Sequence, residues 1–224
     1  MAAPSRQSIV LAVILLMAAG GMFTVIRSKP SGASVGFWFD PIGQETLTSV
    51  PERLGTIGPG DLKVIETVAF AELGRAFRDF QIEVTPNRDA AYRVRVVERL
   101  RNPLAPKMLP LSGASRSIPG LGGQGAVSFS LFAHNAVAYS PADADRSSLI
   151  AAMGRGIGRA AAHEFAHQFL GSIDIHAERD VRSYEYRSAD RIEQYYGDMR
   201  WGTAGPLIAK RMGWNRSSIT SRSR

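Results

Sequence analysis

The 224-residue chain contains no cysteine, so its stability rests on packing without disulfides, and any metal it holds cannot be bound by thiolate. Histidine is scarce as well, with four in the whole chain. No stripe of lysines interleaved with aromatics is present, which weighs against nucleic acid as a partner despite a formal net charge of +7. The 27 Lys and Arg outnumber the 20 Asp and Glu without forming long blocks, apart from a small Arg/Ser cluster at Arg216, Arg222 and Arg224. A solvated basic surface facing anionic lipid or wall polymer is the plainer reading of that excess. Solenoid-period repeats are missing too. With 45% hydrophobic and 21% charged residues, the composition is that of an ordinary globular protein, one domain with extensions.

Ile9 to Ile26 is a nearly uninterrupted apolar run, preceded by Arg6 and followed by Arg27 and Lys29. Its length reaches the lower limit for spanning a bilayer, and no clear small-x-small cleavage site precedes Ser34. The expectation is an uncleaved signal anchor over residues 1–28, a linker over 29–34, a folded domain over 35–214 and a basic Ser/Arg tail without fixed structure over 215–224. A short basic N-terminus that stays inside places the folded domain outside the cytoplasm, membrane-anchored or else secreted.

Val35 to Phe39 is β-prone. Asp61 is expected to cap a helix on which Leu62, Ile65, Ala69, Leu73, Ala76 and Phe80 recur at helical spacing, packed on a sheet. Gln81 to Thr85 reads as a strand, and so does Ala91 to Leu100, where Tyr92, Val94 and Val96 alternate with Arg93 and Arg95 to give one buried and one wet face. Asn102 to Gly125 carries four prolines and several glycines and reads as a long surface loop. Val127 to Tyr139 alternates enough to suggest a hairpin or bent strand pair, which includes His134 as a hydrogen-bonded structural residue. Asp145 then caps a helix running through Leu149, Met153, Ile157 and Ala161 to a stop at Gly171. Gly154, Gly156 and Gly158 lack the strand and the Lys-Ser/Thr pair of a phosphate loop, so close packing of this helix on the sheet is the reading.

That helix contains His163-Glu164-Phe165-Ala166-His167. Residues i and i+4 lie one above the other on a helix, so both imidazoles can reach one metal ion while Glu164 projects about 100° around the axis. A catalytic zinc takes three protein ligands and keeps one position open. His176 is the leading third ligand, because three of the four histidines fall within one short segment beyond which the chain can turn back. Asp174, and Glu185 or Glu193 further on, are the alternatives. Glu164 is the candidate general base, and Tyr184, Tyr186, Tyr195 and Tyr196 are candidate hydrogen-bond donors or simply packing aromatics.

The pentad resembles that of the zincin metallopeptidases, and the order of strand, long helix, several strands and metal helix is similar to the upper half of a metzincin. A metzincin pattern places a glycine at the position of Leu170 and a third ligand at Ile173; Gly171 and Asp174 keep that spacing with one residue inserted, and His176 lies two beyond. Asp198-Met199-Arg200 looks like the methionine turn of that group. A gluzincin pattern would instead use Glu185. The resemblance implies an α+β, zincin-like fold: a small mixed twisted sheet, an N-terminal amphipathic helix and a zinc-binding helix, preceded by the anchor. It implies a Zn2+-dependent endopeptidase acting on peptide or protein substrates with Glu164 as base and His163, His167 and His176 as ligands. The alternative is an envelope-located, zinc-stabilised binding or assembly domain without catalysis.

Overall fold

Strand and helix patterning sort this chain into two layers, one sheet and a group of helices on one of its faces. The computed structural model describes residues 32–101, 110–118, 122–171 and 174–213. The anchor segment, the linker up to residue 31 and the tail lie outside them. No helix among the described residues is long and apolar enough to cross a membrane. Element order is β1 (Ala33–Phe39), α1 (Gln44–Thr48), α2 (Pro59–Phe77), β2 (Ile82–Thr85), β3 (Tyr92–Val97), β4 (Gly113–Ile118), β5 (Gly122–Ser128), α3 (Phe129–Ala138), α4 (Arg146–Leu170), a 3-10 turn (Asp174–Ala177), α5 (Glu193–Tyr196) and α6 (Ala204–Met212).

The sheet is mixed, in the order β2-β1-β3-β5-β4, with β4 the only antiparallel member. Alternation works as the sequence implies on β3. Val94 and Val96 are buried under the helices, whereas Arg93 and Arg95 face away. Val35 and Phe37 of β1 and Val127 of β5 fill the same buried face, and fully burying each such side chain stabilises the fold by roughly 1.5–3 kcal/mol.

The segment 102–125 is only partly a loop. Residues 102–109 and 119–121 lie outside the description, but Gly113–Ile118 and Gly122–Ser128 pair as a hairpin. Glycines that read as breakers are used for close approach: a Cβ on Gly123 or Gly125 would meet the Gln168 side chain at 2.5 and 3.1 Å. Gln168 occupies that space to grip β3, accepting from Arg93 N (3.2 Å) and donating to Arg93 O (3.1 Å). The expected strand pair over 127–139 is corrected as well. Phe129–Ala138 is helix α3, whose N-cap Ser128 accepts from Leu131 N, and its Phe129, Phe132, Ala133 and Ala136 bury one face at helical spacing. A period of two over Val127 to Leu131 cannot be told from one turn of such a helix.

Helix α2 starts earlier than expected. Pro59 takes a first-turn position, and Asp61 sits three residues past the Gly58 cap, where its carboxylate accepts the Gly58 N–H at 2.9 Å. It packs along α4. The glycines explain how: a Cβ on Gly154 would meet Ile65 O at 2.7 Å, and one on Gly158 would meet Ala69 O at 2.5 Å. Gly156 faces Tyr195 and Phe132. The close contact they allow is therefore with a helix and aromatic rings, not with the sheet. Helix α4 itself follows its local signals, Asp145 capping Ser148 N at 2.7 Å and Gly171 closing it at φ 64°.

Candidate metal centre

His163 and His167 leave the last two turns of α4 from one face, and the 3-10 turn Asp174–Ala177 brings His176 against them. Their Nε2 atoms form a triangle: 3.1 Å between His163 and His176, 3.1 Å between His163 and His167, and 2.9 Å between His167 and His176. The His163 and His176 rings are parallel within 5°, and His167 stands nearly perpendicular to both.

Three nitrogens so close call for a proton or a cation between them. His163 Nδ1 lies 2.9 Å from Tyr184 O, and a carbonyl only accepts, so that ring carries its proton on Nδ1 and directs the Nε2 lone pair into the triangle. Burial, with His167 beside it, pushes the His163 imidazolium down to about 3. Burial and the nearby Arg187 also lower His176. A His163 ring that aims its Nε2 lone pair at the Nε2 atoms of His167 and His176 matches the donor set of a metal ion. Four-coordinate zinc with 2.0–2.1 Å bonds would set ligand nitrogens about 3.3 Å apart, within a few tenths of an ångström of the separations found. These three histidines could hold a metal ion.

Of the alternatives for the third position, Glu185 is engaged elsewhere. Glu185 is fully buried and accepts from Gly202 N (2.6 Å) and Thr203 Oγ1 (2.9 Å) at the start of α6, so it serves that helix. Glu193 lies on α5, and its carbonyl receives Arg159. The Asp174 side chain lies outside the described residues. Among those described, His163, His167 and His176 form the one ligand cluster. His134 is exposed on α3, its Nδ1 2.8 Å from Ser130 O, a helical and not a strand residue.

Glu164 points from α4 toward β4. It is 6% exposed, and a Cβ on Gly113 would lie 2.3 Å from its Oε1, so only glycine leaves room for this carboxylate. Burial raises its pKa to about 7, with Ser115 opposing as a hydrogen-bond donor. A cavity of about 30 Å3 reaches His163 and Glu164 between Ser112 and Tyr186, enough for one or two water molecules.

The tyrosines divide by role. Tyr184 donates to Glu72 at 3.2 Å and Tyr195 to Ala189 O at 2.8 Å, each buried and each raised above the ordinary phenol range by that burial. Tyr184 and Tyr186 both line the cavity with Glu164, and of the two Tyr184 has its hydroxyl committed to Glu72. Behind His163 lies a network with no motif in the sequence. Arg159, 3% exposed, donates to Glu72 (2.9 Å), Glu193 O (2.7 Å) and Gly197 O (2.7 Å), while Glu72 also receives Arg75. The main chain of Arg200 pairs with Arg182 and Tyr184, tying the Asp198-Met199-Arg200 segment to the residue whose carbonyl orients His163. A charged pair on separate helices could have been suspected from Glu72 and Arg159 facing inward on each helical wheel, but not their pairing.

No protein-family model, curated protein or solved structure matches the chain.

Proposed function

We propose that the chain is a zinc-dependent endopeptidase of zincin type, with His163, His167 and His176 as the metal ligands and Glu164 as the general base. The observation that carries this reading is the Nε2 triangle, one of whose members, His163, lines a water-sized cavity together with the buried Glu164. Bound there, zinc supplies Lewis acidity that polarises a carbonyl and acidifies water. Three ligands from the chain favour catalysis over a closed structural site, which uses four.

The chain's own residues supply the rest. Glu164, with a pKa near neutrality, takes a proton from the attacking water and returns it to the leaving amine. Tyr184 O holds the His163 ring in one tautomer. Strand β4 offers the substrate a place. Ser128 N donates to Ser112 O, so by antiparallel alternation Ala114 and Arg116 bond to β5, and Gly113, Ser115 and Ser117 turn their backbone groups to the outer edge, which pairs with no strand among the described residues. An extended peptide added there passes directly over Glu164.

The full chain, purified without chelator, is expected to carry about one zinc per molecule. Glu164→Gln should retain the metal and lose cleavage of a denatured protein by at least a hundredfold, as expected for a lost general base. His176→Ala should lower metal affinity by at least tenfold. Full activity in Glu164→Gln, or no metal in the parent chain, would sink the assignment.

A further inference from the structure

Both long helices lie on one side of the sheet, and the other side is covered by no helix among the described residues. Register places its side chains. Arg93, Gln124 and Arg116 form one row across β3, β5 and β4, and Trp38, Arg95, Ala126 and Ala114 form the next across β1, β3, β5 and β4. Arg88 closes one end from above Trp38, 5.7 Å from the ring centre. The two alanines lower the floor between these long side chains, leaving a groove of about 660 Å3.

Four arginines line that groove against one carboxylate, Asp89. Arg95 is paired with Asp40 at 3.2 Å, but Arg93 has only Gln124 at 3.5 Å, and Arg116 forms no hydrogen bond or ion pair among the described residues. Unpaired guanidinium groups in a concave wall are complementary to planar anions that accept two hydrogen bonds. We infer that this face, through Arg88, Arg93, Arg95 and Arg116, is an exosite for an acidic stretch of the substrate polypeptide, held across the β4 edge from the metal side.

Three observations select that occupant. Carboxylates on every second residue of an extended peptide repeat at about 6.7 Å, the spacing from Arg93 to Arg95 along β3. Single-stranded nucleic acid needs open aromatic faces for stacking, whereas Trp38 lies under Arg88 with its indole N–H committed to Asp40 (2.9 Å). A lipid surface is flat, and this groove is concave. Strand β4 joins the two sides: Gly113 and Ser115 face Glu164, and Ala114 and Arg116 face the groove. A polypeptide that crosses this edge therefore passes from the Glu164 side to the groove, where its acidic stretch lies along β3.

The recruiting role rests on the peptidase reading, and the test separates the two. Binding of a fluorescein-labelled (Glu-Ser)6 peptide and its (Gln-Ser)6 counterpart is measured by anisotropy on the full chain carrying Glu164→Gln, which needs no turnover. The acidic peptide should bind at least tenfold tighter than the neutral one, and the preference should fall at least fivefold in Arg116→Gln and vanish in Arg93→Gln/Arg116→Gln. The Arg93→Lys/Arg116→Lys variant should lose at least threefold, since lysine cannot bind bidentately. Equal binding of both peptides, or undiminished preference in Arg116→Gln, whose side chain has no hydrogen bond or ion pair among the described residues, overturns the exosite. So does tighter binding of an oligothymidylate or of phosphatidylglycerol vesicles than of the acidic peptide. Acidic preference in a chain that cleaves no peptide removes the peptidase and keeps the groove.

Discussion

Glu164→Gln makes a stability prediction that is independent of activity. Burial raises the Glu164 carboxyl from 4.5 to about 7. Between those values the folded chain holds a proton that the unfolded chain has released, so folding stability is fully retained below pH 4.5 and falls as pH rises through 7. The loss is about 2.5 pH units at about 1.4 kcal/mol each, or about 3–4 kcal/mol, a sizeable share of a stability on the order of 10 kcal/mol. Glutamine has the same shape and no charge to desolvate. In chelator at pH 8, Glu164→Gln should therefore be about 3–4 kcal/mol more stable than the parent, a rise in urea midpoint of about 1–2 M at an m-value of 2–3 kcal/mol/M. At pH 4.5 the two chains should coincide. Saturating zinc should shrink the difference, because a cation beside the carboxylate favours its charged form. A variant that is less stable at pH 8, or more stable by the same amount at both pH values, would refute the claim that this carboxyl group is held at a cost to the fold.

Other consequences follow from neighbouring contacts. Glu72→Ala leaves the Arg159 guanidinium buried without its counter-ion and should cost about 3–5 kcal/mol in urea denaturation, while Arg75→Ala, on the exposed side of the same carboxylate, should cost under about 1 kcal/mol. Gly113→Ala forces a Cβ into Glu164 and should reduce peptidase kcat/KM at least tenfold with zinc content unchanged by metal analysis. In chelator, the neutral buried His163 should make the folded chain lose stability as pH drops from 6.5 toward 3, since the unfolded ring takes up a proton that the folded one refuses; His163→Gln should flatten that part of the curve.

What local chemistry dictates was readable in the sequence. Asp145 and Gly171 bound α4, Leu149, Met153, Ile157 and Ala161 are buried at four-residue spacing, and the same separation puts His163 and His167 on one side, because each depends only on residues within a turn or two. Alternation on β3 likewise announced a wet face bearing Arg93 and Arg95. The hairpin over 113–128 was hidden because its glycines, which look like breakers, are there to admit Gln168 and Glu164 from a distant helix. The meeting of His176 with His163 and His167, which the sequence offered as one option among several, the Tyr184 carbonyl behind His163, the Glu72–Arg159 pair and the joining of Arg93 and Arg116 across three strands are visible only in the folded chain. Each brings together residues whose separation in sequence carries no periodic signal, so nothing short of the packed helices and sheet register could assign them.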